Sequence, residues 1–539
     1  MNVAAAPAAT PTELAIAYHE RTKHSLKRYA AGPETLDWDG QPNPFRTFEG
    51  ADATALPLLA DQLETPFADL FTPNRVAPAP LTLGSVATLL ELAMGLTAWK
   101  ELGPDRWAVR ANPSSGNLHP TEAYVIAQNV PALESGLHHY VSRDHLLELR
   151  CASAEKETAT VGRLWIGLSS IAWREAWKYG ERAFRYCQLD TGHALGAFRY
   201  AAASLGWRVR WVPALDSAAL AALMGLDREA DFAGAEREEP ELLLAIDIEP
   251  DLELDAGALP ALDPARWAGK ANVLDRHPMY RWPVIGEVER ATRIIGAPTL
   301  EPAPAPDLPP RVSSVTRRAA DIILNRRSAQ RFEARFHMPR ETFWSMLDAL
   351  LPRRTTPFDV WDIAPALHPI VFVHKVEGLD SGVYALPRLP EVGERLRAAV
   401  RDDFEWTRPE GCPDHLPFYR LARTDARGII RTLSCHQAIA GDSCFSLGML
   451  ATFDAALGQG AWRYRQLFWE AGLLGQALYL EAEAAGLRGT GIGCYFDDDL
   501  HQLLGLDGRQ FQSMYHFTVG RPMSDARIVS SPAYPGRKA

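Results

Sequence analysis

Cysteine is scarce in this chain, with six in 539 residues, at Cys151, Cys187, Cys412, Cys435, Cys444 and Cys494. No two have CxxC spacing, so neither a zinc site nor a disulfide framework is signalled, and reduced thiols in a reducing compartment are expected. No metal site is expected. No stretch approaches the roughly 20 apolar residues of a membrane span. Met1 to Pro11 is rich in Ala and Pro and lacks the basic start and apolar block of a signal peptide. A cytoplasmic location away from membranes is therefore expected. Basic residues are not in excess: 56 Lys and Arg stand against 67 Asp and Glu, a net charge of -11. That balance argues against a nucleic-acid partner, because phosphate binding depends on clustered Lys and Arg. What is present is ordinary globular composition, 47% hydrophobic and 23% charged. The length exceeds one ordinary core and suggests about two to four domains.

The chain repeats itself. Arg185-Tyr186, Asp190-Thr191-Gly192 and Leu205-Gly206 are matched by Arg465-Gln466, Glu470-Ala471-Gly472 and Ala485-Gly486, each 280 residues later. The same offset relates Gly225-Leu226-Asp227 to Gly505-Leu506-Asp507. Upstream the offset drifts but the order holds. Leu118-His119-Pro120 matches Leu367-His368-Pro369, Gly136 to Tyr140 matches Gly382 to Ala385, and Ser25 to Tyr29 matches Ser328 to Phe332. Ordered self-similarity points to duplication. Ala297 to Pro310, with its run of prolines, reads as a semi-rigid spacer. The expected division is thus 1–296, a linker at 297–310, and 311–539. Residues 36–80, extra sequence in the first copy, read either as a lid or as a surface excursion.

Periodicity predicts mixed helix and strand. Ser85 to Trp99 reads as an amphipathic helix, and Ala183 to Leu205 and Arg463 to Ala485 as long buried helices. Small residues in the two long helices (Gly192, Gly196, Ala197; Gly472, Gly475, Ala477) would let them approach closely. Glu241 to Ile248 and Tyr515 to Gly520 read as strands closing each copy.

Three segments carry candidate chemistry. Asn325 to Phe332 packs Arg326, Arg327, Ser328 and Arg331 together, and guanidinium forks suit phosphate oxygens. Pro113-Ser114-Ser115-Gly116-Asn117 offers short donors and a backbone that a flat polar ligand can approach, though such a run is also an ordinary turn. Gly491-Ile492-Gly493-Cys494 presents backbone N–H groups, without the helix and acidic partner of a Rossmann fingerprint. His193 reads as a core histidine, His119 and His368 as structural, and Asp497-Asp498-Asp499 as a helix start rather than a metal site.

Together these segments resemble the nitroreductase-like flavoenzymes, over about Arg21 to Ile248 and Arg317 to Arg527. The resemblance implies an α+β fold with two nitroreductase-like domains packed as a pseudo-dimer, and FMN bound between them. It implies Arg326, Arg327, Ser328 and Arg331 at the phosphate, with Arg521 or Arg527 as a second contact. Pro113, Ser114, Ser115 and Asn117 would lie at the isoalloxazine ring, with Gly491, Ile492, Gly493 and Cys494 on its other side. The first copy has His24 where the second has Arg327, and Trp211-Val212-Pro213 where the second has Gly491-Ile492-Gly493. The second copy lacks PSSGN. One composite site therefore keeps its parts and the reciprocal one has lost them.

Lys178-Tyr179-Gly180 and the following Arg-rich start of a helix are similar to SagB-type dehydrogenases, which oxidise azolines in peptides to azoles. That likeness implies a catalytic Lys178–Tyr179 pair, with Tyr179 as base and Lys178 lowering its pKa. The alternative is an exposed lysine beside a packed tyrosine. The expected substrate is a small molecule or peptide, with peptide-modifying enzymes as partners. The alternatives are an NAD(P)H-dependent nitro- or quinone reductase and a non-catalytic flavin-binding scaffold.

Overall fold

The computed structural model of the chain describes residues 9–155, 161–249, 253–300 and 306–537. The strands form two large antiparallel sheets. Edge to edge, the first runs Leu262–Trp267, Leu146–Ser153, Gly136–Val141, Thr121–Gln128, Arg163–Ser170, Glu239–Asp247, Arg208–Trp211, and Asp52–Ala55 also pairs with Leu146–Ser153. The second runs Tyr419–Arg423, Gly382–Ala385, Leu367–Val373, Phe445–Thr452, Phe511–Gly520, Arg488–Ile492. Six strands of the first sheet and the six of the second have the same spatial order: third, second, first, fourth, sixth, fifth along the chain.

Both sheets are covered on two faces, which explains apolar runs without polar alternation. In the first sheet Ala123, Val125 and Ala127 face one apolar cluster while Tyr124 and Ile126 face another. In the second, Val371 and Val373 face one cluster, and Ile370 and Phe372 a different one. The period of two is present, but both faces are buried.

Between the sheets lie two helices of 22 residues, Ala183–Ser204 and Arg463–Ala484, almost wholly buried. They touch backbone to backbone. A Cβ on Gly192 would stand 2.3 Å from the Trp469 carbonyl oxygen, and one on Gly472 would stand 2.2 Å from that of Leu189. The expected close approach of small residues is realised at these two glycines.

Each core also takes a helix from the other side of the Pro-rich segment. Helix Pro11–Arg21, started by a Thr10–Glu13 capping box, buries Ala15 and Tyr18 among Tyr464, Leu467 and Phe468. Helix Ala319–Asn325 buries Ala319, Ala320, Ile322 and Ile323 in the core of the first sheet. Beyond Gly520 the chain crosses back, and Val529–Ser531 pairs with Leu96–Leu102. The Tyr534 hydroxyl donates to the Ser142 carbonyl at 2.6 Å and accepts the Leu96 N–H at 2.7 Å. Within the linker predicted at 297–310, residues 301–305 lie outside the described residues, as do residues 1–8 at the N-terminus.

One expectation changes. The helix predicted from Ser85 to Trp99 is Leu83–Met94, and Leu96–Leu102 is a strand paired with Asp105–Arg110. The chain turns at Gly95, where a Cβ would lie 2.6 Å from the Glu91 carbonyl oxygen. Residues 36–80, expected as a lid or a surface excursion, send several side chains into the first sheet's cores. Phe48 joins the outer cluster of the first sheet, and Leu56, Phe67, Leu70 and Phe71 join its inner core.

Gly192→Ala places a methyl group against a main-chain oxygen that cannot rotate away. It is expected to lower stability by about 1–3 kcal/mol, the usual cost of overpacking. Gly472→Ala should do the same, whereas Gly428→Ala, on the exposed face of helix Arg427–Leu433 with open space around it, should cost less. Chemical denaturation of the three variants checks this, and an unchanged midpoint for Gly192→Ala would contradict the close crossing.

Candidate functional site

A cavity of about 590 Å³ opens where the two halves meet. One wall is the loop after strand Asp105–Arg110. Gly116 and Asn117 both have φ of 60°, the left-handed region. Gly116 is needed there, because a Cβ would meet the Tyr179 hydroxyl at 2.6 Å. The loop is fastened from within. Ser114 Oγ accepts the His119 N–H at 2.7 Å, and the Asn117 amide donates to the Ala108 carbonyl at 2.8 Å. It is also fastened to the first long helix, where the Asp190 carboxylate accepts both the N–H and the hydroxyl of Ser115 at 3.1 Å.

The opposite wall is Gly491 to Cys494, at the end of strand Arg488–Ile492. Tyr479, from the second long helix, accepts the Gly491 N–H at 2.9 Å and hydrogen-bonds the Ser328 hydroxyl at 2.9 Å. A Cβ on Gly491 would lie 1.7 Å from the Tyr515 hydroxyl, and one on Gly493 2.1 Å from the Tyr186 ring. Glycine lets the backbone line the cavity at both positions.

One end of the cavity is cationic. Arg326, Arg327, Lys100 and Arg488 converge there. Arg326 donates to the carbonyls of Ala111 (3.0 Å) and Arg110 (3.1 Å), while its Nη1 is buried without a partner. Arg327 donates to the Thr97 carbonyl at 3.0 Å. Among the described residues no carboxylate lies within 4.0 Å of either guanidinium. Burial, and then the neighbouring charges of Arg326 and Arg488, push Arg327 down to about 9. Such crowded positive charge favours an anion.

Of the residues singled out in the sequence, Pro113, Ser114, Ser115, Asn117, Tyr179, Arg326, Arg327, Ser328, Gly491, Ile492, Gly493 and Cys494 all line this cavity. Arg331, Arg521 and Arg527 do not. Arg331 is exposed, Arg521 lies over the Phe336 ring at 4.0 Å, and Arg527 pairs with Asp525 at 2.7 Å. The C-terminal crossing carries Arg521 and Arg527 outward and brings Asp525, Ile528 and Ser530 inward instead. Sequence reasoning missed Lys100, Arg488 and Asp190. Lys100 directly follows the helix expected over Ser85 to Trp99 and lies in strand Leu96–Leu102, and Arg488 opens the glycine-rich strand. Asp190 sits within the repeated segment at Asp190-Thr191-Gly192, where the local pattern reads as packing.

Lys178 and Tyr179 end helix Ala172–Tyr179. Lys178 lies 5.8 Å from the exposed Trp38 ring, so the start of the 36–80 segment does reach the edge of this pair. The expected lowering of the Tyr179 phenol by Lys178 is not found. Burial, then the carboxyls of Glu175 and Asp190, raise it far above its usual value. In this geometry Tyr179 holds its proton and is a donor. His193 is neutral, lowered to about 3 by burial, with Nε2 hydrogen-bonded to the Tyr515 hydroxyl at 3.0 Å. Asp497 is held by Arg185 (2.8 Å) and Arg182 (3.1 Å).

A second cavity, of about 900 Å³, lies by Arg199, Arg210, Trp211 and Trp361. Its charges are internally matched: Arg199 pairs with Asp359 at 2.7 Å, Arg210 with Asp247 at 2.5 Å, and Arg354 with Asp362 at 3.3 Å. Trp211 stands 280 residues before Gly491, putting an indole where the other cavity has bare backbone.

Comparison with known proteins bears on this geometry. The model of the nitroreductase family matches two segments of the chain, residues 75–235 and 451–521. A candidate nitroreductase of Methanocaldococcus jannaschii is 27% identical over 138 residues, 24% of this chain and 66% of that protein, just under two thirds of its length. The crystal structure of a candidate nitroreductase from Anabaena variabilis aligns over 95% of this chain and 99% of its own, with a TM-score of 0.67 and 23% identity. That likeness shows a shared fold. No helix among the described residues is long and apolar enough to cross a membrane.

Cys494 is the thiol of the cavity wall. A hydrogen bond from Cys435, together with His24 and the charge of Arg182, outweighs burial and draws it down to about 5. Its thiolate is present above that pH and lost as pH falls through it. Iodoacetamide at pH 7 should therefore alkylate Cys494 ahead of the other five cysteines, with a rate that levels off well below the usual thiol range of about 8.5. Peptide mass spectrometry over a pH series checks this. A rate still climbing at pH 9, or a fast phase that survives Cys494→Ser, would refute the thiolate.

Proposed function

We propose that this chain is an FMN-dependent oxidoreductase with one flavin site, formed by the 590 Å³ cavity between its two halves. The observation that carries this reading is the pairing of charge and bare backbone in one cavity. Among the described residues Arg326 and Arg327 lack carboxylate partners at one end, and Gly491 and Gly493 leave no room for a Cβ along the wall. The donor set fits a phosphate monoester joined to a flat polar ring. Arg326, Arg327 and Lys100 would hold the phosphate, and the backbone around Ser114, Ser115 and Gly491 would meet the ring. Bound FMN would supply reversible two-electron chemistry at that place. Arg331, Arg521 and Arg527, which do not line the cavity, have no part in this reading.

The repeated strand order, the crossing at Gly192 and Gly472, and the two cavities support a tandem pseudo-dimer divided at 297–310. The second cavity has its arginines neutralised and an indole at the glycine position, so it should not take FMN. Flavin released on denaturation should approach one per chain, and a ratio near two would contradict a single site. Arg327→Ala should weaken FMN binding by about 1.5–3 kcal/mol, as for loss of a hydrogen bond to a charged group. Lys27→Ala, on the first copy's exposed counterpart segment, should leave affinity almost unchanged. Equal losses in both would mean that the phosphate lies elsewhere.

As to substrate, dehydrogenation of an azoline-type heterocycle in a small molecule or peptide is supported by the Lys178–Tyr179 segment, which meets the cavity at Gly116. A second reading, reduction of nitro compounds or quinones at the expense of NAD(P)H, is favoured by the raised Tyr179 phenol, since that reaction needs no base of this kind. Anaerobic bleaching of the bound flavin separates them. An azoline peptide should bleach it in the first case. Rapid bleaching by NADPH with none by any azoline would establish the second. Under the dehydrogenase reading Tyr179→Phe should remain yellow and slow bleaching, through loss of a positioned donor.

A further inference from the structure

Two acidic side chains are buried beside this cavity. Asp190 is 1% exposed, lines the cavity, and accepts both hydrogen bonds from Ser115. Glu175 is fully buried, one helical turn before Lys178 and Tyr179, and neither carboxyl oxygen has a partner. An unpaired buried carboxylate is costly, so such a group holds its proton.

We propose that Asp190 is the group that exchanges the substrate's proton in this cavity, with Glu175 a neighbouring buried acid that stays protonated. This rests on the oxidoreductase reading given above. On deprotonation the substrate's X–H bond breaks and an O–H bond forms at an Asp190 carboxylate oxygen. The X–H electron pair moves into the new double bond as the neighbouring C–H bond breaks, and that hydrogen leaves with its own electron pair as hydride, for which the flavin of the proposed function is the two-electron acceptor. In the reverse direction Asp190 returns the proton to a reduced product. The Ser115 N–H and hydroxyl hold the carboxylate in place, and they belong to the same loop that would meet the ring.

Burial raises Asp190 to about 7, against the hydrogen bonds of Ser114 and Ser115, which lower it. The titratable groups around it are Glu175 and Tyr179 on helix Ala172–Tyr179, Cys187 on its own helix, and Tyr515 on strand Phe511–Gly520. Lys178 acts on Glu175. Burial raises Glu175, Tyr179, Cys187 and Tyr515 well above their usual values, which favours the neutral form of each. Asp190 is thus the member of the group poised to ionise there. Sign follows directly: Asp190 accepts a proton as carboxylate, so reactivity should rise with pH through about 7 and then level.

The test begins on the protein without substrate. Infrared difference spectra of chain carrying 13C-labelled aspartate should show a protonated carboxyl band that disappears with a midpoint near 7. Asp190→Asn should abolish it. Ser115→Ala, which keeps the carboxyl but removes one hydrogen bond, should move the midpoint upward, and this holds even if Asp190→Asn folds poorly. Glu175→Gln should leave the midpoint in place, since Glu175 is neutral throughout. A midpoint below about 5, or one unmoved by Ser115→Ala, overturns the proposal. A large downward shift in Glu175→Gln overturns the neutral state given to Glu175. On FMN-loaded protein, Asp190→Asn should retain flavin but slow bleaching by substrate about 10²–10⁴-fold, as for loss of a general base, and lose the rise through pH 7. Bleaching at the wild-type rate overturns the proposal. If wild type binds no FMN, the oxidoreductase reading fails while the aspartate titration still stands or falls by itself.

Discussion

The backbone contact between Gly192 and Gly472 is the constraint on which the rest depends. Because neither helix carries a side chain there, their axes come together and each presents its remaining residues to both sheets. From the same contact outward, Asp190 meets the loop at Ser115, and Tyr479 meets Gly491 and Ser328. The two walls of the cavity are therefore fixed relative to one another by the helix pair. Neither wall alone could set the distance across which a ligand is held. The exchanged helices and the returning C-terminal strand close the arrangement from outside, so each apolar core contains residues from both ends of the chain.

Electrostatics separates the two cavities more than shape does. Both are large enough for a nucleotide-sized ligand. In the smaller one, guanidinium groups lean on carbonyl oxygens and keep their net charge. In the larger one, the same residue type is matched to Asp359, Asp247 and Asp362. A carboxylate within ion-pair reach removes the field that would draw a phosphate. Arginine count alone says little about anion binding, since what matters is whether a counter-charge is already present.

Proton chemistry follows from burial in the same way. A lysine next to a tyrosine in sequence suggested a lowered phenol. In space the tyrosine ring is enclosed, and its acidic neighbours lie closer in effect than the ammonium group. The carboxyl that does approach neutrality, Asp190, sits in the middle of a helix, among residues that read as packing. Its hydrogen bonds come from a loop 75 residues earlier.

The sequence by itself determined the repeat, the two long helices, the glycines at their crossing and most of the cavity wall. These are legible because each depends on local pattern: periodicity, a small residue at a contact, or a short run that only a particular backbone permits. The strand at Leu96–Leu102 was hidden, because its partner and the turn at Gly95 were needed to tell it from a helix end. Tertiary structure alone decided which arginines stay uncompensated, which carboxyls lie side by side, and which way the C-terminal segment runs. It excluded Arg331, Arg521 and Arg527 and admitted Lys100, Arg488 and Asp190. Charge and protonation depend on neighbours brought together from distant parts of the chain, and on water excluded when they meet, so no local pattern could have announced them.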